Sequence, residues 1–322
     1  MRLPPFDREG RFFRGNLHCH STRSDGRLDP EQVVLAYKRL GYDFICLSDH
    51  FEAEFGWQVT DTSAWRDRAF TTIIGAELSR PGPLARKWFM LAAGLPLDFA
   101  PVADGETGAQ LAARARSSGA FVALLHPGFN ATTLGDLEHA EFDAVEIYNH
   151  GVARMNDRGD GWYLCEGLLD QGGRLSCIAS DDAHFTPNGY GTIAGAWLHV
   201  RSPALETESL LAALKDGAFY ATMGPEIHDV VVDRAEVEIH CSPVDVVAIT
   251  GSGHRARSVV HRAWDGGRDL TYEAGTVEAA GADGITRCRL PLDGWAPGDW
   301  WRVTMMRADG RRAWTNPARV GA

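Results

Sequence analysis

The fold of this chain is decided by the segment Phe44-Ile45-Cys46-Leu47-Ser48-Asp49-His50, in which four apolar residues precede a serine, an aspartate and a histidine. A continuous apolar run of this length is typical of a strand that is buried on both faces of a parallel sheet. Polar residues directly after such a strand lie at its carboxyl end, where α/β proteins place their sites. The segment therefore predicts a buried strand that brings a metal-binding side chain to one edge of a sheet.

The same pattern recurs on both sides of this segment. The other strand ends are Asn16-Leu17-His18-Cys19-His20, Ser24-Asp25-Gly26, Ile73-Ile74-Gly75-Ala76-Glu77, Leu124-Leu125-His126-Pro127, Glu146-Ile147-Tyr148-Asn149-His150 and Ser180-Asp181-Asp182-Ala183-His184. His18 and His20 are two residues apart on a strand, so their side chains leave the same face. A fold that gathers these strand ends would form a metal site with more than one ion.

Helical patterns alternate with the apolar strands from about residue 15 to residue 225. Helices are predicted at 30–40, 107–118, 161–171 and 206–215; the first has Pro30 near its start and Gly41 just past its end. Strand–helix alternation implies right-handed βαβ units and a parallel sheet. About seven such units favour an α/β fold that closes, or nearly closes, into a barrel.

A second domain is predicted to begin after Gly224-Pro225. Beyond this point the helical pattern fades, and short apolar strands are separated by turns such as Ala308-Asp309-Gly310. We therefore expect residues 1–225 to form the barrel and residues 226–322 to form a small antiparallel β-sandwich.

Composition and charge narrow the classes of partner. With 322 residues, 44% of them hydrophobic, the chain is long enough for one large domain and a small one. The net charge of -11 argues against a nonspecific nucleic-acid binder, so nucleic acid is expected only as a small nucleotide or phosphodiester substrate. An anionic small-molecule substrate stays compatible, because metal ions supply local positive charge.

The cellular compartment is predicted from what the sequence lacks. No run approaches the length of a membrane helix, and the N-terminus lacks the apolar core of a signal peptide, so no membrane partner is expected. The six cysteines include no CxxC pair and several lie in apolar runs, which favours buried free thiols. These features together predict a cytoplasmic protein.

The proposed ligands are imidazoles and carboxylates. This mixture suits Zn²⁺, Mn²⁺ or Fe, whereas the lack of a thiolate set disfavours a closed structural zinc site. Cys19 should point away from any ion, because it lies between His18 and His20 on the opposite face. A single HxH or Asp-x-His arises more often by chance than in a metal site. Six of the twelve histidines, however, lie at the predicted strand ends, and this joint pattern favours a metal site.

The ordered motifs HxH, Ser-Asp-Gly, Ser-Asp-His, Gly-x-Glu, His-Pro and Asp-x-His resemble those of the polymerase and histidinol phosphatase (PHP) superfamily. The resemblance covers roughly residues 15–225 and implies a distorted (β/α)₇ barrel, a two- or three-metal site and, in many members, phosphoester hydrolysis. Residues 214–225 also resemble the end of the PHP domain in the CehA/McbA-like branch. That branch includes ester and carbamate hydrolases and carries a C-terminal β domain.

Residue by residue, the resemblance implies two ion sites with Glu77 as a bridge. The first site would use His18, His20, Glu77 and Asp182. The second site would use Asp25, His50 and His184. A third site would use Glu77, His126 and a histidine shortly after Glu77, but this sequence has Phe89 at the matching position. Phenylalanine cannot bind a metal, so we predict two well-occupied sites and leave a third open.

The predicted mechanism follows from two close ions, which would lower the pKa of a shared water and hold hydroxide in line with a phosphorus or carbonyl centre. His126 or His150 is predicted to protonate the leaving group, with a structural role as an equal alternative for His150. Arg23 and Arg154 are candidates for binding an anionic substrate, although most loop arginines are simply solvated. Asn149 is a candidate for orienting a ligand or the substrate.

Three hypotheses for function result. The leading one is a metal-dependent hydrolase of phosphomonoesters or phosphodiesters. An alternative is a carboxyl ester, carbamate or amide hydrolase that uses the same metal site. A hypothesis of another class is a catalytically decayed metal-binding or interaction module, which is motivated by Phe89 and opposed by the presence of the other eight ligands.

Overall fold

The computed structural model of the chain describes residues 1–82, 87–137, 140–186, 193–233, 236–261 and 275–321. Its α-helices are α1 (Pro30–Arg39), α2 (Gly108–Ser117), α3 (His150–Asn156), α4 (Trp162–Asp170) and α5 (Thr207–Lys215). Short 3₁₀ helices lie at Ala53–Phe55, Ser63–Trp65 and Leu134–Leu137. The four predicted helices are thus confirmed to within two residues, and α3 is an addition.

Local sequence explains where two of these helices begin. Pro30 occupies the first turn of α1, where the N–H that proline lacks would have no helical partner. Thr107 precedes α2, and its hydroxyl accepts a hydrogen bond from the backbone N–H of Gln110. The Gln110 side chain in turn accepts the backbone N–H of Thr107, so both groups are satisfied reciprocally.

Ten strands lie in the described part of the chain before residue 225. They are β1 (Arg11–Asn16), β2 (Phe44–Leu47), β3 (His50–Phe51), β4 (Thr71–Pro81), β5 (Lys87–Ala93), β6 (Phe121–Leu124), β7 (Ala144–Asn149), β8 (Ser176–Ser180), β9 (Trp197–Ser202) and β10 (Phe219–Thr222). The order in the sheet is β10-β9-β1-β2-β4-β5-β6-β7-β8, with β3 beside β4. The result is a mixed α/β architecture built on one large sheet.

The sheet is mixed rather than parallel throughout, which corrects the expectation of seven parallel units. Strands β1, β2 and β4 are parallel to one another, as are β6, β7 and β8. Strand β5 is antiparallel to both β4 and β6, and β9 is antiparallel to β1. The 11-residue strand β4 pairs in antiparallel orientation with β5, the next strand along the chain, so these two strands are not a βαβ unit.

The predicted closed or nearly closed barrel is not confirmed, because no ladder among the described residues joins the two ends of the sheet. The sheet nevertheless curves. A parallel bridge joins Cys19 to Ala183, and the N–H of Asp182 donates to the carbonyl of His18 at 3.0 Å. These contacts bring the chain after β8 against the chain after β1, which is how distant strand ends reach one site.

The remaining strands follow residue 225. They are β11 (Ile227–Asp233), β12 (Glu236–Val244), β13 (Val246–Gly251), β14 (Ala256–Val260), β15 (Thr276–Gly281), β16 (Gly284–Pro291), β17 (Trp300–Met306), β18 (Arg312–Thr315) and β19 (Ala318–Arg319). Strands β11, β12, β16 and β15 form a four-stranded antiparallel sheet. Strands β13, β14, β17 and β18 instead extend the large sheet, because β18 pairs with β10. The division at residue 225 stays a prediction, since hydrogen bonding is continuous across it.

All six cysteines are buried and have free thiols, as predicted. The thiol of Cys19 lies 3.5 Å from the carbonyl oxygen of Cys46, on the face away from His18 and His20. Within the described residues, no helix is both long enough and apolar enough to span a membrane.

Because of a buried histidine in β9, we expect acid to destabilise the folded protein. The ring of His199 stacks on that of Tyr220 at 5.1 Å, and its Nε2 accepts a hydrogen bond from Trp197 Nε1 at 3.1 Å. Burial, reinforced by the nearby charge of Arg14, lowers the pKa of His199 from 6.5 to about 4. Below pH 6.5 the unfolded chain therefore binds a proton that the folded chain refuses. The neutral, buried His199 therefore stabilises the fold fully above pH 6.5, and this stabilisation is lost as the pH falls toward 4.

We expect this one group to remove roughly 3 kcal/mol from the free energy of unfolding across that interval. Replacing His199 by phenylalanine should make the free energy of unfolding decrease less steeply as the pH falls. The measurement is urea unfolding of both proteins at several pH values between 7 and 4, where all other groups titrate alike. Parallel curves for the two proteins would show that the histidine is not the cause.

Candidate metal centre

The predicted metal-binding residues form one cluster at the carboxyl edge of the large sheet. Among the residues that the structure describes, three overlapping groups have possible ligand atoms within 4.8 Å of one another. They are His20, Asp25, His50 and His184; His18, His126 and Asp182; and His18, His20 and Glu77. All eight predicted residues belong to at least one group, so the strand ends meet as expected.

The sheet explains how these side chains converge. His18 and His20 follow β1 on one face, and His50 in β3 is the direct neighbour of Glu77 in β4. His126 follows β6 after one residue. Asp182 follows β8, where its N–H bonds to the carbonyl of His18.

Glu77 lies at the centre of the cluster and is 1% exposed. Its Oε2 lies 3.5 Å from Nε2 of His18, 3.3 Å from Nε2 of His20 and 3.1 Å from Nδ1 of His50. Its Oε1 lies 3.2 Å from Nε2 of His126. Both oxygens of this carboxylate therefore face imidazoles, and Glu77 is the acidic residue that the largest number of predicted ligands surround.

Two aspartates complete the cluster on either side. Oδ1 of Asp182 lies 3.3 Å from Nε2 of His18 and 3.2 Å from Nε2 of His20. Oδ2 of Asp25 lies 3.2 Å from Nε2 of His184 and 3.5 Å from Nε2 of His50. The side chain of Asp25 is 46% exposed, so it marks the side on which the cluster opens to solvent.

Buried atoms without hydrogen bonds test whether a metal fits here. Among the described residues, Nε2 of His18, Nε2 of His20, Nδ1 of His50 and Oδ1 of Asp182 are buried and find no hydrogen-bond partner. Buried polar atoms almost always have partners, so four orphans in one cluster need an explanation. A divalent ion satisfies such nitrogen and oxygen atoms together, and the set suits Zn²⁺, Mn²⁺ or Fe.

Electrostatics in the cluster favour bound cations. Burial alone would lower the pKa of His20, but Asp182 and Glu77 outweigh it and raise that pKa to about 10. Burial would likewise raise the pKa of Glu77, yet the imidazoles of His50 and His18 hold it well below its usual range. The carboxylates therefore attract positive charge, and protons compete with metal ions for the same atoms.

Two members of the cluster have a strained backbone. His126 has φ +25° and Asp182 has φ +50°, values that side-chain-bearing residues rarely adopt. Such conformations persist only where the surroundings hold them, and they concentrate at functional sites.

The structure places the other predicted site residues around this cluster. Asn149 is fully buried; its Nδ2 donates to Glu146 at 2.9 Å and to Asp182 at 3.2 Å, and its Oδ1 accepts the N–H of Val152 at 2.8 Å. His150 is outside the three groups, with its Nδ1 3.4 Å from the hydroxyl of Tyr148. Arg23 and Arg154 are exposed. The catalytic and substrate-binding roles of these residues stay predictions.

Sequence reasoning gave no role to three buried carboxylates that support the site. Asp49 accepts the backbone N–H of Ser21 at 2.7 Å and the hydroxyl of Ser24 at 2.7 Å, which fixes the loop before Asp25. Asp181 accepts three backbone N–H groups between residues 194 and 196. Oε1 of Glu146 lies 3.1 Å from Nδ1 of His18, the ring nitrogen that does not face Glu77. The available signal was an acidic residue inside or directly after an apolar strand.

Three phenylalanines line one side of the cluster. The ring of Phe89 lies 5.2 Å from that of His126 and 6.0 Å from that of His50. The ring of Phe55 stacks on His50 at 6.0 Å, and the ring of Phe129 meets His126 edge-on at 5.6 Å. All three phenylalanines are partly exposed, so we call them the aromatic rim. Phe89, at the position where the motif pattern predicts a histidine ligand for a third ion, is part of this rim.

Comparison with solved structures finds the same fold. A two-domain protein from Bacteroides vulgatus, described as containing a predicted PHP-like metal-dependent phosphoesterase, matches 99% of this chain and 98% of its own at 16% identity and a TM-score of 0.51. The chain therefore has the fold of that two-domain protein.

Two further structures match in part. A Bifidobacterium adolescentis protein, provisionally described as a metal-dependent phosphoesterase, matches 55% of this chain and 90% of its own at 15% identity and a TM-score of 0.38. An amidohydrolase from Chromobacterium violaceum with bound sulfate and no metal matches the same shares at 14% identity and a TM-score of 0.40. No family model and no curated protein matches the chain.

Proposed function

We propose that this protein is a metal-dependent hydrolase that cleaves phosphoesters. The observation that carries the proposal is the cluster of four buried, orphaned nitrogen and oxygen atoms around Glu77. His18, His20 and Asp182 would hold one ion, Asp25, His50 and His184 the other, with Glu77 between them. Divalent ions in such a site supply Lewis acidity, which activates water and neutralises charge at the reacting centre.

The chain's own residues supply the remaining functions in this proposal. The open side at Asp25 admits the substrate, and the exposed Arg23 and Arg154 attract its anionic group. His126 or His150 protonates the leaving group. His126 lies closer to the cluster, with Nε2 3.2 Å from Glu77, whereas His150 is outside the three groups. Asn149 orients Asp182 through the hydrogen bond between them.

The finer family assignment is part of the same proposal. We assign the chain to the CehA/McbA-like branch of the PHP superfamily, with the curved sheet as its distorted barrel and residues 226–322 as its C-terminal β domain. The ordered motifs and the meeting of all eight ligand residues support this assignment.

The aromatic rim favours a second candidate function at the same site, namely hydrolysis of a carboxyl ester, carbamate or amide. Phe55, Phe89 and Phe129 present apolar surface beside His50 and His126. An uncharged ester or carbamate loses less hydration than a phosphate when it packs against such a surface.

Paired substrates separate these functions. The metal-depleted protein, reconstituted with Mn²⁺ or Zn²⁺, should hydrolyse p-nitrophenyl phosphate or its diester much faster than p-nitrophenyl acetate, and chelation should stop the reaction. Activity on the acetate alone would contradict the phosphoesterase proposal and support the second candidate function. A protein that holds less than one ion per chain after added metal, and turns over neither substrate, would indicate a decayed module.

Phe89 makes the number of ions testable. Replacing it by histidine should raise the metal content from two ions per chain to three, because the new imidazole would face His126 beside Glu77. Replacing Phe89 by leucine is the control, since it removes the ring and adds no donor. Equal metal content in the two variants, measured by elemental analysis, would show that Phe89 does not decide the third site.

A further inference from the structure

Glu146 is a carboxylate in the middle of the apolar strand β7, and it is completely buried. It belongs to none of the three groups that could hold an ion. A buried carboxylate is costly unless hydrogen bonds stabilise its charge. Its partners therefore indicate why the site contains it.

Four donors surround the two oxygens of Glu146. Oε1 lies 3.1 Å from Nδ1 of His18 and also accepts the hydroxyl of Ser180. Oε2 accepts the backbone N–H of His126 at 2.8 Å and Nδ2 of Asn149 at 2.9 Å. These donors come from the carboxyl ends of β1, β6, β7 and β8. One side chain thus ties together four of the segments that carry the cluster.

The contact with His18 decides which nitrogen faces the cluster. The other three groups around Glu146 donate to it, so its oxygens act as acceptors and the proton of this contact must lie on Nδ1 of His18. Nε2 then points to the cluster, and this is the orphaned atom 3.3 Å from Asp182 and 3.5 Å from Glu77. The bond to the N–H of His126 also holds a residue whose φ is +25°.

We infer that Glu146 is a positioning residue that presents Nε2 of His18 to a metal ion and holds the strained backbone of His126 beside it. The inference rests on the proposed function, because it requires that the cluster binds metal. Acceptors behind metal-binding histidines typically change metal affinity by about 10–100-fold when they are removed.

The test measures Zn²⁺ affinity in the full chain by competition with a chromogenic chelator. Glu146→Gln keeps the size of the side chain but turns an amide N–H toward groups that are themselves donors. We expect its Kd for Zn²⁺ to rise about 10–100-fold. Asp136→Asn is the matched control, because Asp136 is an equally buried carboxylate that accepts the N–H of Thr133. Its Kd should equal that of the wild type.

Nitrogen-15 histidine spectra of the zinc-loaded wild type give a second readout that does not depend on folding of the variant. His18 should show a proton on Nδ1 and the metal on Nε2. A proton on Nε2, or an unchanged Kd in a folded Glu146→Gln protein, would overturn the inference while the metal site stands. A wild type that takes up no Zn²⁺ would overturn both the inference and the proposed function.

Discussion

Replacing His20 by alanine should abolish metal uptake and lower turnover by at least about 1,000-fold. His20 is a ligand of the first proposed ion site, and it also lies beside Asp25, His50 and His184, the residues of the second. Its Nε2 lies 3.3 Å from Glu77 and 3.2 Å from Asp182, and its ring stacks on that of His184 at 4.2 Å. Removing this imidazole therefore takes one nitrogen ligand from the first site and leaves Glu77 and Asp182 without the side chain that both of them face.

The measurement is metal content by elemental analysis together with hydrolysis of p-nitrophenyl phosphate. His240→Ala is the matched control, because His240 pairs with Glu238 in the C-terminal four-stranded sheet, away from the cluster. It should keep wild-type metal content and turnover. Full metal content and turnover in the His20 variant would contradict the assigned site.

Ending the chain after residue 225 should abolish cooperative folding of the remaining fragment. Strand β10 would lose its partner β18, with which it pairs at Tyr220, Ala221 and Thr222. Trp300 and Trp314, each 2% exposed, belong to the same hydrophobic core as the strands that carry the site. Losing one buried tryptophan typically costs about 3–5 kcal/mol. Two such losses approach the whole stability of an ordinary domain, about 5–15 kcal/mol.

Urea unfolding followed by far-ultraviolet circular dichroism tests this expectation. The full-length chain should unfold in one steep transition, whereas the fragment 1–225 should show none. Full-length Trp314→Phe is a useful control, because it keeps an aromatic ring in the core and should unfold steeply with modest destabilisation. A steep transition in the fragment would show that the first 225 residues are an independent domain.

The candidate site was largely predictable because its signal is local. An apolar run followed by a histidine or an acid identifies a strand end without knowledge of its neighbours, whereas the division of these residues between ions stays a prediction. All eight predicted ligands meet in the structure. Glu146 was missed because an acidic residue inside an apolar strand can be recognised in the sequence, but the atoms that its side chain faces cannot.

The fold was predictable only in its elements. The apolar run of β5 is compatible with either strand direction, so its antiparallel pairing with β4 and β6 could not be inferred from composition. The pairing of β18 with β10 joins segments about 90 residues apart, and nothing in either segment specifies the other. Long-range pairing is therefore what joins strands from both sides of residue 225 in the large sheet.

Anomalous X-ray scattering from crystals of the zinc-loaded protein tests the central claim, namely that these strand ends hold two divalent ions. Two strong peaks are expected within the cluster. One peak should lie among His18, His20, Glu77 and Asp182, and the other among Asp25, His50 and His184. If data from zinc-containing crystals, collected at the zinc absorption edge, showed no peak in the cluster, these strand ends would not be a metal site.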